Sequence, residues 1–159
     1  MLRVSAFLSG LLVLGLGAPV ALAEDCPPVK LDPQASRLAV YPGGVPGRNR
    51  LDYDFIAVAI GASAVCTVDD DDNVIADVTI TYAAQPGPLY RGKTVVEVFA
   101  DAERGGAAAG RQKSARSTLN PPNDSPGVTD HIVIRGLVVG TEDEMDEGGL
   151  GIVAGIVQP

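Results

Sequence analysis

The chain has 159 residues, twenty acidic against twelve basic side chains, one histidine and no tryptophan, and a formal net charge of −8. An acidic chain of this kind is repelled by nucleic acid and by anionic lipid surfaces, which sets aside both as partners. With so few aromatics, its core has to be built from Val, Ile, Leu and Ala, with Phe55, Phe99 and the tyrosines as the large pieces.

The chain opens with Arg3 and an apolar run from Ala6 through Val20, closed by Ala21-Leu22-Ala23. A charged start, a short apolar middle and a small-x-small end predict a cleaved signal peptide over residues 1–23. The run is too short, and too rich in Gly and Pro, to predict a membrane span. Cleavage leaves a single domain over residues 24–159, of ordinary domain size, and moves the net charge to −9 because Arg3 is lost. The predicted location is periplasmic or secreted. In such an oxidising compartment, Cys26 and Cys66 predict a disulfide. Glu24 and Asp25 stand where a lipid-modified Cys26 would need a small residue before it, so the lipoprotein alternative is set aside.

After Cys26-Pro27-Pro28 the sequence reads as short β-favouring runs between turn signals, and no stretch keeps a helical apolar period for three turns. Leu38 to Tyr41 is the first predicted strand. Asp52 to Ile60 follows, with Tyr53, Phe55 and Ala57 on one face and Asp54, Ile56, Val58 and Ile60 on the other. Both faces become apolar toward its end, which predicts a central strand running into the core. Ala64 to Val68 is predicted as a separate strand carrying Cys66. Val74 to Ala84 is the clearest period-2 segment, with Val74, Ala76, Val78, Ile80 and Tyr82 on one face. Lys93 to Asp101 comes next, then a Gly105-Gly106 turn able to close a hairpin. The polar run Gln112 to Leu119 predicts an edge strand. Asn120 to Gly127 predicts a long loop, and Thr129 to Val139 and Leu150 to Val157 are the last two strands. Seven to eight short strands at this spacing predict an all-β, immunoglobulin-like antiparallel β-sandwich.

Candidate chemistry is sparse. The run Asp69 to Asn73 crowds hard oxygen ligands, with Asp69, Asp71 and Asn73 at alternate positions, as the opening of a Ca²⁺ loop would have them. Val74 and Ile80 stand where such a loop needs Gly and a bidentate Glu, so a solvated hairpin tip is the plainer reading. A second acidic segment over 142–147 predicts a solvated connection. Adjacent in space, loops 69–73 and 142–147 would form one surface for a cation or a basic partner, giving a weak Ca²⁺-binding accessory protein as the alternative function. His131 has Asp130 as its neighbour, but adjacent strand residues point to opposite faces, and no Ser sits in a nucleophile elbow. One His and two paired Cys do not make a zinc site. Pro42 to Gly47 is too proline-rich for a phosphate loop and lacks the following Lys-Ser or Lys-Thr. Arg48, Asn49, Arg50 and Asp52 predict only local surface contacts.

Cys26-Pro27, Tyr41-Pro42-Gly43-Gly44 with Arg48 and Asp52-Tyr53, Cys66 at the end of a strand, and Gly87-Pro88 after a strand together resemble a family of small uncharacterised exported proteins of Gram-negative bacteria. The resemblance implies a β-sandwich with an exported, envelope-associated role and carries no activity or cofactor with it. The function expected from the sequence is a non-enzymatic exported β-sandwich module that binds a protein or a cell-envelope component.

Overall fold

A computed structural model describes residues 26–44, 52–122 and 125–158. The predicted signal peptide and Arg48, Asn49 and Arg50 lie outside them. The described chain forms an all-β sandwich of two antiparallel-rich sheets. One is four-stranded, in the order β2 (Arg37–Val40), β3 (Phe55–Val68), β4 (Asn73–Pro86), β8 (Val128–Thr141). The other runs β1 (Val29–Leu31), β9 (Leu150–Ile156), β5 (Thr94–Arg104), with β6 (Ala107–Ala108) and β7 (Lys113–Leu119) both pairing β5.

The period-2 pattern of β4 does what its alternation dictates. Val74, Ala76, Val78, Ile80 and Tyr82 are all fully buried between the sheets, opposed from β5 by Val96, Val98, Ala100 and Ala102. Full burial of one such side chain is worth about 1.5–3 kcal/mol, so this shared core decides which face of each strand turns inward. Phe55 and Tyr82 are the largest fully buried pieces. Phe99, expected in the core, lies on the opposite side of β5, because it alternates with Val98 and Ala100 and rests over Gly155 of β9.

Several elements differ from expectation, each for a local reason. The two strands predicted over 52–60 and 64–68 are one 14-residue strand, β3, with a register shift between Ala59 and Gly61 against β4. The extra residue of this bulge re-aims the chain. Phe55, Ala57 and Ala59 face the core before it; Ala62, Ala64 and Cys66 do so after it. Ile60, expected to enter the core, is instead 55% exposed. β1 was not expected: three residues between prolines pair in parallel with β9. The acidic connection predicted over 142–147 holds a one-turn helix, α1 (Glu142–Asp146), capped by a Thr141/Glu144 capping box in which each residue bonds the other's main chain.

Other expectations are met directly. Gly105 and Gly106, at φ 59° and 82°, close the β5–β6 hairpin in a conformation that costs side-chain-bearing residues energy. Leu150 to Ile156 is a buried strand. β7 is an edge strand, and its Lys113 Nζ donates to the Arg135 and Gly136 carbonyls at 3.3 and 2.6 Å, blunting the edge of β8. Cys26 and Cys66 are disulfide-bonded, joining the segment that leads into β1 to β3 of the facing sheet across 40 residues of chain. In the chain-entropy account a loop of that length is worth about 4 kcal/mol.

Candidate binding face

β3 and β4 are the two inner strands of the four-stranded sheet, so each has a face that the core does not use. β3 contains no charged residue in its fourteen, and β4 contains one, Asp77. Ordinary antiparallel sheets place polar side chains on the solvated face. Here that face presents Ile56 and Val58 before the bulge and Val65 after it, with Ile75, Thr79, Thr81 and Ala83 from β4 and Val133 and Val138 from β8, while Arg37 of β2 and His131 and Arg135 of β8 flank it on the edge strands. Most are half-buried against one another, while Val65 is 63% exposed.

The single charge of the inner strands is held by local structure. Asp77 sits at a second register shift, between Ala76 and Val78. Its Oδ1 accepts from the Gly136 N–H at 2.8 Å and its Oδ2 accepts from Arg135 Nη1 at 3.4 Å. The carboxylate thus replaces a ladder bond that the bulge leaves open. At one end of the face a groove of about 360 Å³ is lined by Ile56, Val58, Ala83, Pro126, Val128 and Thr129. An apolar face with polar groups at its rim is the surface type that proteins use for contact.

The outer face of the other sheet is built differently. Glu97 Oε2 is 2.7 Å from Arg116 Nε and its Oε1 accepts from Ser114 Oγ at 3.0 Å. The Arg116 bond first, and the Ser114 bond second, hold the Glu97 carboxyl below its ordinary range. Asp101 accepts from the Arg111 N–H at 3.2 Å. Val95 is 49% exposed there, and beside this ion pair it lines a mostly apolar groove of about 320 Å³ with Leu38, Val40, Tyr41 and Val157.

The residues singled out in the sequence distribute as follows. The β4–β8 pairing sets Asn73 opposite Thr141, and the Glu142 N–H donates to the Asp72 carbonyl at 3.0 Å, so the two acidic segments 69–73 and 142–147 are neighbours at one end of the sandwich. Asp69 Oδ1 accepts from the main-chain N–H of Asp71 and Asn73 and from Asn73 Nδ2, at 2.9 to 3.2 Å. The Asn73 main-chain bond above all, then its side chain, keeps the Asp69 carboxyl below its usual range. Asp69 and Asn73 thereby fasten the hairpin tip to itself, and Asp71 contributes its N–H to the same turn. Among the described residues no group of three or more His, Cys, Asp or Glu is placed to hold a metal ion.

Asp130 does not orient His131. Its Oδ2 accepts from the Tyr82 hydroxyl at 3.2 Å and its Oδ1 accepts from the main-chain N–H of His131 at 2.8 Å, while His131 Nδ1 stays 4.0 Å away. Burial is the main cause that pushes the Tyr82 hydroxyl up to about 12. Tyr90 Oη and Asp54 Oδ1 are buried and make no hydrogen bond. Burial, with the Asp54 charge second, raises the Tyr90 hydroxyl. No described helix is long and apolar enough to cross a membrane.

The outer face of the four-stranded sheet was missed in the sequence. Its signal was the uncharged run from Phe55 to Val68, which is equally the mark of a strand buried on both sides. Comparison with protein-family models, with curated proteins and with solved structures finds no match.

Proposed function

We propose that the protein is an exported, non-enzymatic β-sandwich module, periplasmic or secreted, that binds a protein or another component of the cell envelope through the outer face of its four-stranded sheet. One observation carries this reading: β3 and β4 together turn a long solvent face outward with a single charge on it, Asp77, and that charge is held by Gly136 and Arg135. In a chain with twenty acidic residues, such a face is a departure from its own composition. The disulfide fits an oxidising compartment, as does the apolar leader read over residues 1–23. The likeness to small exported proteins of Gram-negative bacteria is consistent with the same role.

The test is capture from envelope extract by the immobilised protein and by its Val65→Lys form. The expected result is a discrete species held by the first and lost by the second. Absence of any specific species, or its equal retention by Val65→Lys, contradicts the reading.

The adjacency of segments 69–73 and 142–147 favours a second reading, a weak Ca²⁺-binding accessory role. A melting temperature raised by CaCl₂ beyond the effect of NaCl at equal ionic strength supports it. An equal effect of the two salts removes it.

A further inference from the structure

Residues 26–36 form a strap along the free edge of β9. The Ile152 N–H donates to the Pro28 carbonyl at 2.9 Å, the Asp32 N–H to the Ala154 carbonyl at 2.9 Å, and the Ile156 N–H to the Ala35 carbonyl at 2.6 Å. Between these bonds lies the three-residue parallel ladder of β1. The fit is close: a Cβ built on Gly155 would come within 2.9 Å of both the Ala35 side chain and its carbonyl oxygen.

The two ends of the strap are held by different means. Its far end continues into β2, where Leu38 is buried and four residues pair with β3 of the other sheet. Its near end has the short β1 ladder, the buried Pro27, the half-buried Val29 and Leu31 against the core, and the Cys26–Cys66 bond. Short terminal segments with few ladder bonds are the first to open in folded proteins. The two cysteines also differ in exposure. Cys66 is 2% exposed, whereas Cys26 lines an open surface groove of about 290 Å³ with Pro27, Pro28, Met145 and Leu150.

We propose that the disulfide is a redox latch: a dithiol reductant attacks Cys26 Sγ from this groove, and the strap then leaves β9 while the remainder of the sandwich stays folded. The attacking thiolate forms a mixed disulfide with Cys26 and expels Cys66 as a thiolate, which takes a proton. The second thiol of the reductant then displaces Cys26, which is protonated in turn. The reductant departs as a disulfide, two electrons having passed to the protein, which now carries two thiols. Opening bares the Ile152 and Ile156 N–H groups and the Ala154 carbonyl, a main-chain edge on which another strand can pair.

Hydrogen exchange followed by mass spectrometry tests the latch on the oxidised protein, on the protein reduced with dithiothreitol, and on the Cys26→Ser/Cys66→Ser form. In the last two, the amides of Asp32, Ile152 and Ile156 should exchange at least about tenfold faster while those of β4 keep their oxidised rates. Unchanged strap amides overturn the proposal, and so does acceleration throughout β4, which would make the bond a staple of the whole fold. Limited treatment with glutathione should place the mixed disulfide on Cys26; its appearance on Cys66 contradicts the direction of attack.

Discussion

The two outer faces of the sandwich are made by the same rules and end differently. On the five-stranded sheet, β5 alternates Val96, Val98 and Ala100 inward with Val95, Glu97, Phe99, Asp101 and Glu103 outward, and its Glu97 and Asp101 carboxylates meet Arg116, Ser114 and the Arg111 main chain. On the four-stranded sheet the inward residues are just as apolar, but the outward ones of the two inner strands include Ile56, Val58, Val65, Ile75, Thr79 and Thr81 with Asp77 as their one charge, while Arg37, His131 and Arg135 stand on the edge strands. The first face is explained by the need of an antiparallel sheet for water on one side. The second departs from that rule on its two inner strands, and the proposed binding is what would account for the departure.

Substitutions can break or sharpen this contrast, beginning where the expected effect is greatest. Ile80→Ala removes a fully buried side chain from the middle of β4 and should cost about 2–5 kcal/mol in chemical denaturation. A much smaller cost would mean that the inner face is not the organising core. Gly155→Ala puts a Cβ 2.8 Å from Phe99 Cε1 and 2.9 Å from the Ala35 carbonyl oxygen, with main chain on one side unable to swing away. It should destabilise by about 1–3 kcal/mol, as overpacking does. That result would show the outer face of the five-stranded sheet to be closed at β9 by the strap as well as by charge.

Thr141→Ala removes one half of the α1 capping box and should lower stability by about 1 kcal/mol, read from the shift in denaturation midpoint at constant slope. This end of the molecule belongs to neither face, so binding should survive the change. Glu97→Gln bears on the charged face through its pH dependence. The Glu97 carboxyl is lowered in the folded protein, so its contribution is present above the ordinary glutamate range and is lost as pH falls through the lower folded value. Melting curves of the two proteins should therefore differ at neutral pH and converge in acid. A difference that grows on acidification would reverse the assignment.

The smallest effect on stability is expected on the apolar face itself. Val65→Lys replaces an exposed side chain opposite Asp77, a cross-strand position that tolerates a positive charge. Thermal denaturation should show a change within about 0.5 kcal/mol. A loss of several times that size would mean that Val65 serves folding, and the contrast between the two faces would disappear.

Much of the architecture was legible because single strands announce themselves. The alternation from Val74 to Tyr82, the Gly105-Gly106 turn, the polar edge strand and the two cysteines each act through local chemistry that a sequence displays. What was not legible depends on pairing. The bulge at Ala59 to Gly61 joins two predicted strands into β3 and changes which residues face inward, and nothing in Ile60-Gly61-Ala62 marks it apart from a strand end. The parallel β1 ladder needs β9, more than a hundred positions away, to exist at all. α1 lacked an apolar period because it buries none of its residues, although Thr141-x-x-Glu144 carried its capping signal. The apolar outer face was hidden for the same reason as the bulge: a strand apolar on both sides fits a doubly covered position as well as an exposed one, and only the sheet order shows that no described strand covers it.

Site-specific photocrosslinking in intact cells tests the central claim most directly. A photoreactive side chain at position 65, on the outer face of the four-stranded sheet, is compared with one at position 101, on the outer face of the other. The account predicts a discrete adduct of defined mass from position 65 and none from position 101. Equal adducts from both positions, or an adduct from position 101 alone, would contradict it.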